Sequence, residues 1–137
     1  KIIANELEFG ADGRSTGGMV KRAECAADKL VHFASILESS DEARKDDPMV
    51  YVGDSMGDIA AMLAAEYGIV IGDCPNLRRL LDQLGVSLQP LDSAPQAPRG
   101  DGYATKTLYK VDSWKQVGAF LFARDPAAAR PAPPAVR

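Results

Sequence analysis

No apolar run in this sequence approaches the ~20 residues that cross a bilayer, which excludes a helical membrane span. It holds only two cysteines, Cys25 and Cys74, without metal-ligand spacing. They read as free thiols of a reducing compartment. The formal net charge is −3, so there is no electrostatic case for nucleic acid or for an anionic membrane. No G-x-x-x-x-G-K-[ST] is present, and no G-x-G-x-x-G follows a strand, which removes the common nucleotide loops. The chain also opens without Met or a signal-like segment, on "KIIANELEF". That start reads as the interior of a strand. The expectation is an intracellular, soluble protein whose targeting signal, like its front part, lies upstream.

What is present is ordinary globular material. Hydrophobic residues make up 46% of the 137 and charged residues 26%, enough for one domain with a real core. "IIANELEF" (2–9) alternates as a strand, and the Gly-, Ser- and Thr-rich "GADGRSTGG" (10–18) reads as a turn or hairpin tip. Leu30, Phe33, Ile36 and Leu37 recur at helical spacing and predict a helix over about 27–39. "DEARKDDP" is a charged connection. "MVYV" (49–52) and "GIVIG" (68–72) are short apolar runs of the buried parallel-sheet type, flanking the Ala-rich helix 58–67. They are expected as parallel neighbours joined by a right-handed crossover. "NLRRLLDQL" (76–84) predicts a helix capped by Asn76, "VSLQPL" and "TLYKV" (107–111) further strands, and "SWKQVGAFLF" (113–122) a helix capped by Ser113. Trp114 and Phe120 look like core aromatics. Alternating strands and helices mean an α/β fold with a mostly parallel sheet over residues 1–123. Residues 90–106 read as a mobile loop and the Pro/Ala-rich 124–137 as a disordered tail.

The chemistry concentrates in "MVYVGDSMGDIAAML" (49–63). Ligands of such sheets bind at the carboxyl ends of strands, and Asp54 and Asp58 lie there. Two close carboxylates repel unless a cation sits between them. Oxygen-only ligands in an open crevice favour Mg²⁺, completed by waters and a substrate phosphate. The plainer reading is that Asp58 caps a helix and Asp54 a turn. Lys29, at the start of the preceding helix, could balance a transferring phosphoryl group or be a solvated helix-face lysine. His32 reads as a helical residue rather than a base, and Asp28 as a first-turn acid that suits the helix dipole.

Taken in order, Lys29, the strand "VYV", "GDSMGD" and "AAEYGIVIG" resemble the second half of a haloacid-dehalogenase (HAD)-type phosphatase. With "ANELEF", "STGG", "DKLVHF", "LRRL" and "LYKVDSW", the likeness extends over about 2–122. It is nearest to the C-terminal phosphatase domain of plant-type bifunctional thiamin-pathway proteins, which act on thiamin monophosphate. The resemblance implies a HAD-like Rossmannoid sheet and a Mg²⁺-dependent hydrolase of a small phosphate ester. Asp54 would be a direct Mg²⁺ ligand, Asp58 a second acid holding the metal or its waters, and Lys29 the counter-charge to the phosphoryl-enzyme. It also allows fusion, upstream, to a thiaminase-like aminopyrimidine hydrolase domain.

The family's nucleophile is the first Asp of a D-x-D pair on an earlier strand, and this sequence contains no D-x-D. The expected sheet is therefore incomplete, with the nucleophile-bearing central strands upstream of Lys1. Strand 2–8 would be an edge strand, strand 49–52 would expose an unpaired apolar edge, and the chain alone would be catalytically inactive. Two alternatives stand beside thiamin monophosphate phosphatase. One is a HAD-type phosphatase for another ester, such as a nucleotide or phosphoserine. The other is a non-catalytic HAD-like binding module.

Overall fold

The structure, a computed structural model, describes residues 3–38, 48–95 and 107–123. Four strands form a parallel sheet: β3 (Val50–Gly53), β4 (Tyr67–Ile71), β5 (Ser87–Pro90) and β6 (Thr107–Val111), in the order β3-β4-β6-β5. Val52 lies opposite Ile69, Ile69 opposite Tyr109, and Leu88 opposite Leu108. This is a Rossmann-like α/β arrangement, with 49–52 and 68–72 parallel neighbours as their composition implied.

Period-two alternation sends each strand's side chains to two faces. Val50, Val52, Tyr67, Ile69, Tyr109 and Val111 pack on one side with Val117 and Phe120 of helix α4 (Trp114–Ala123). Tyr51, Val70, Leu88 and Leu108 pack on the other. They meet Met62 of helix α2 (Ile59–Ala64) and Leu77 and Leu81 of helix α3 (Pro75–Leu84). Each fully buried Leu, Ile or Met contributes about 1.5–3 kcal/mol, and Ile69, Met62, Leu77, Leu81 and Leu108 are all buried to within 1%. Helix α1 (Ala26–Glu38) joins the second side, where Phe33 meets Tyr51 edge to face at 5.4 Å.

Several local expectations change. The helix read over 58–67 is shorter, because Met56–Asp58 form a 3-10 turn before α2 and Tyr67 already pairs with Val50. Asn76 is not the cap of α3. Cys74 holds that position and Pro75 opens the helix, where its missing N–H costs nothing. Strand β1 (Glu6–Phe9) is not an edge of the parallel sheet. It pairs antiparallel with β2 (Ser15–Val20) in a separate hairpin, so half of the stretch read as a turn is strand.

The start of the expected 90–106 loop packs against the core. Leu91 and Ala94 are buried, and the Tyr67 hydroxyl donates to the Pro95 carbonyl at 3.0 Å. The rest of that loop, most of the charged connection (residues 41–47) and the 124–137 tail lie outside the described residues. Trp114 is 67% exposed and is not a core aromatic, whereas Phe120 packs edge-on to Tyr67. Ser113 does precede α4, and Gln116 Oε1 accepts from the Ser113 N–H and hydroxyl at 3.1 and 3.3 Å. Both cysteines are free thiols. Among the described residues β3 pairs only with β4, and no helix is long and apolar enough to cross a membrane.

Candidate functional site at the carboxyl end of β3

Strand β3 ends at Gly53 for a steric reason. A Cβ there would stand 2.4 Å from Asp58 Cβ and 2.8 Å from its Cγ. The missing side chain lets Asp58 tuck beneath the strand end, where it is only 6% exposed. Ser55 starts the 3-10 turn in extended conformation. Asp58, three residues on, reaches back to it like the acidic arm of a capping box.

The Asp58 carboxylate is thereby saturated. Its Oδ2 accepts from the Ser55 hydroxyl at 2.7 Å, the Ser55 N–H at 3.2 Å and the Asp54 N–H at 3.4 Å. Its Oδ1 accepts from Lys29 Nζ at 2.7 Å and from the Tyr51 hydroxyl at 3.2 Å. Burial alone would push this carboxyl up. The Lys29 and Ser55 hydrogen bonds and the Lys29 charge outweigh it and hold Asp58 below the ordinary 3.8. Charge-assisted bonds of this length are about twice as strong as neutral ones.

Asp54 is in the opposite state. It is exposed, and among the described residues its side chain has no hydrogen bond or ion pair. Lys29 arrives from α1 with its side chain 35% exposed. The structure thus brings Lys29 and Asp58 into contact and leaves Asp54 free beside them. Asp28 and His32 fall away from this centre. Asp28 accepts the Glu24 and Cys25 N–H groups at the start of α1, which lowers its pKa, and His32 Nε2 lies 2.6 Å from the Arg22 carbonyl.

Two members of the site were not read from sequence, Tyr51 and Ser55. Each left a faint signal. Tyr51 sits between Val50 and Val52, so it must face the helices that carry Lys29 and Asp58, and Ser-x-x-Asp is a capping spacing. Tyr51 is perturbed in turn. Burial first, then the Asp58 charge and the hydrogen bond to it, push the phenol up to about 12. A raised pKa means that Tyr51 supports the fold fully below its ordinary 10.0 and loses that support as pH climbs toward 12. Ultraviolet titration is expected to show one late-ionising tyrosine in the intact protein that shifts to lower pH in Asp58→Asn. An unchanged titration in that variant would show that the bond to Asp58 has no such role.

As a metal site the residues fit one form only. Among the described residues no group of three or more His, Cys, Asp or Glu could hold an ion. Asp58 has its oxygens occupied, so of the two acids only the Asp54 carboxylate could anchor an ion, which would then have to be largely hydrated, a mode that suits Mg²⁺. A hollow of about 810 Å³ runs along β5, lined in part by Leu88, Lys110, Gln116 and Phe120, and Lys29, Asp54 and Asp58 are not part of it.

No protein-family model and no solved structure matches the chain significantly. Among curated proteins it is similar to the mitochondrial bifunctional TH2 protein of Arabidopsis thaliana, 33% identical over 135 residues, a match that takes in 88% of this chain but spans only 21% of that protein.

Proposed function

We propose that this segment is the counter-charge and metal-binding part of a HAD-type, Mg²⁺-dependent phosphomonoester hydrolase, with thiamin monophosphate as substrate. One observation carries the reading. A lysine is held by a buried, saturated carboxylate at the carboxyl end of a parallel strand, beside an exposed carboxylate with no partner among the described residues. A structural cap needs neither the lysine nor the free acid. The similarity to a protein named bifunctional, of which this region is about a fifth, supports a role within a longer enzyme.

Asp54 would hold the Mg²⁺, which supplies charge neutralisation for the phosphate when bound. Lys29 would stabilise negative charge on the phosphoryl oxygens as a compact donor. Asp58 keeps Lys29 in place, and Ser55 and Tyr51 keep Asp58 in place. The attacking carboxylate comes from outside these residues, since the sequence has no D-x-D.

The test is phosphate release by the full-length protein from thiamin monophosphate, a nucleoside monophosphate and phosphoserine across a Mg²⁺ titration. Mg²⁺-dependent release, fastest from thiamin monophosphate, is expected. Faster release from another ester would replace the substrate and keep the chemistry. No release from any of them would leave the non-catalytic binding module.

A further inference from the structure

The motif contains a second glycine, and its reason differs from that of Gly53. Gly57 has an ordinary negative-φ backbone, since the glycines with positive φ are Gly13, Gly17, Gly72 and Gly85. A Cβ at Gly57 would meet Ser55 Oγ at 3.6 Å and Lys29 Nζ at 3.7 Å, which are ordinary contacts rather than clashes. Neither backbone nor packing therefore demands glycine here, although glycine weakens a helical turn relative to alanine. What the missing side chain leaves is space, directly against the Lys29 ammonium. That ammonium has three N–H donors. One is taken by Asp58, and among the described residues the other two have no acceptor. The lysine is thus pinned from one side and open on another.

We propose that the space over Gly57 is the opening through which an anionic oxygen reaches Lys29, so that residue 57 sets which phosphate groups the site accepts. The proposal rests on the phosphate reading of the site and names the residue that controls access to it. A side chain at 57 would cover the two free donors, desolvate the ammonium and exclude a bulky oxyanion, while an alanine methyl meets Lys29 Nζ and Ser55 Oγ at ordinary contact distance.

The experiment uses the full-length protein and its Gly57→Val and Gly57→Ala variants, with inorganic phosphate as the probe. Trace acetylation of Lys29, measured by mass spectrometry against Lys115 at constant ionic strength, reports occupancy without any turnover. Phosphate is expected to protect Lys29 in the unsubstituted protein, less so in Gly57→Ala and not in Gly57→Val. In parallel, the misfit is expected to raise KM for thiamin monophosphate on the order of tenfold in Gly57→Val with a smaller change in kcat. Should Gly57→Val fail to fold, the same comparison is made on Gly57→Ala, whose methyl finds room. Protection lost on substitution in a protein that hydrolyses no ester would uphold the opening and refute the phosphatase. Phosphate that fails to protect Lys29 in the unsubstituted protein, or protects it equally in a folded variant, overturns the proposal whatever the turnover shows.

Discussion

Asp54→Asn is expected to lower phosphate release from thiamin monophosphate at least about 100-fold in the full-length protein, the scale of losing one preorganised electrostatic group, while the melting temperature stays within a degree or two. The two halves of this expectation come from one feature. The Asp54 carboxylate is exposed and unpartnered among the described residues, so the fold loses nothing when its charge is removed. Its backbone N–H, which does bond Asp58, is retained by Asn. Only a ligand outside the chain would notice the substitution. A parallel loss of Mg²⁺ dependence would place the ion on Asp54. Near-normal turnover at an unchanged Mg²⁺ midpoint would reduce Asp54 to a turn residue and remove the metal from this strand end.

Gly53→Ala should do the reverse, destabilising first and inactivating as a result. The added methyl would sit 2.4 Å from Asp58 Cβ, so Asp58 must leave its place. Overpacking of this kind costs about 1–3 kcal/mol. Separating a largely buried carboxylate from its lysine adds to that, tempered by the partial exposure of Lys29. A total of about 3 kcal/mol would lower the melting temperature by roughly 10 °C or more.

The pH dependence tells whether the Asp58 network is the cause. The native Asp58 pKa is depressed, so its contribution is whole above the ordinary 3.8 and is lost as pH falls through the lower native value. The unsubstituted protein should therefore lose stability more steeply than Gly53→Ala below pH ~4. If thermal melts give both proteins the same acid limb, the Lys29–Asp58 pair contributes little and the clash acts through the backbone alone.

Much of this architecture follows from residues close together in the chain. "MVYV" and "GIVIG" are apolar on both alternations, and only a sheet covered on both faces buries such runs. Leu77 and Leu81 are four apart and share one helix face, which both bury. The strand end as a place for ligands was likewise legible, because two acids and two glycines follow an apolar run there. What local pattern missed, it missed for identifiable reasons. "STGG" has the composition of a turn, and pairing with Glu6–Phe9 makes it part of a strand. Trp114 has the chemistry of a core residue but faces away from the sheet.

The division is sharpest at the two acids. By itself the sequence determined that Asp54 and Asp58 stand four apart at the end of a buried strand, because strand, turn and helix signals are all local. Its local signals did not say which of the two is buried and saturated and which is exposed. That distinction was left to the tertiary structure, through the approach of α1. Lys29 comes within 2.7 Å of Asp58 across 29 residues of chain, and Tyr51 closes the same oxygen from β3 itself. Burial then forces Asp58 to take every donor within reach, since an unpaired charge there would be costly, whereas Asp54 in water needs none. Two residues alike in sequence thus differ in role because solvation belongs to the folded molecule.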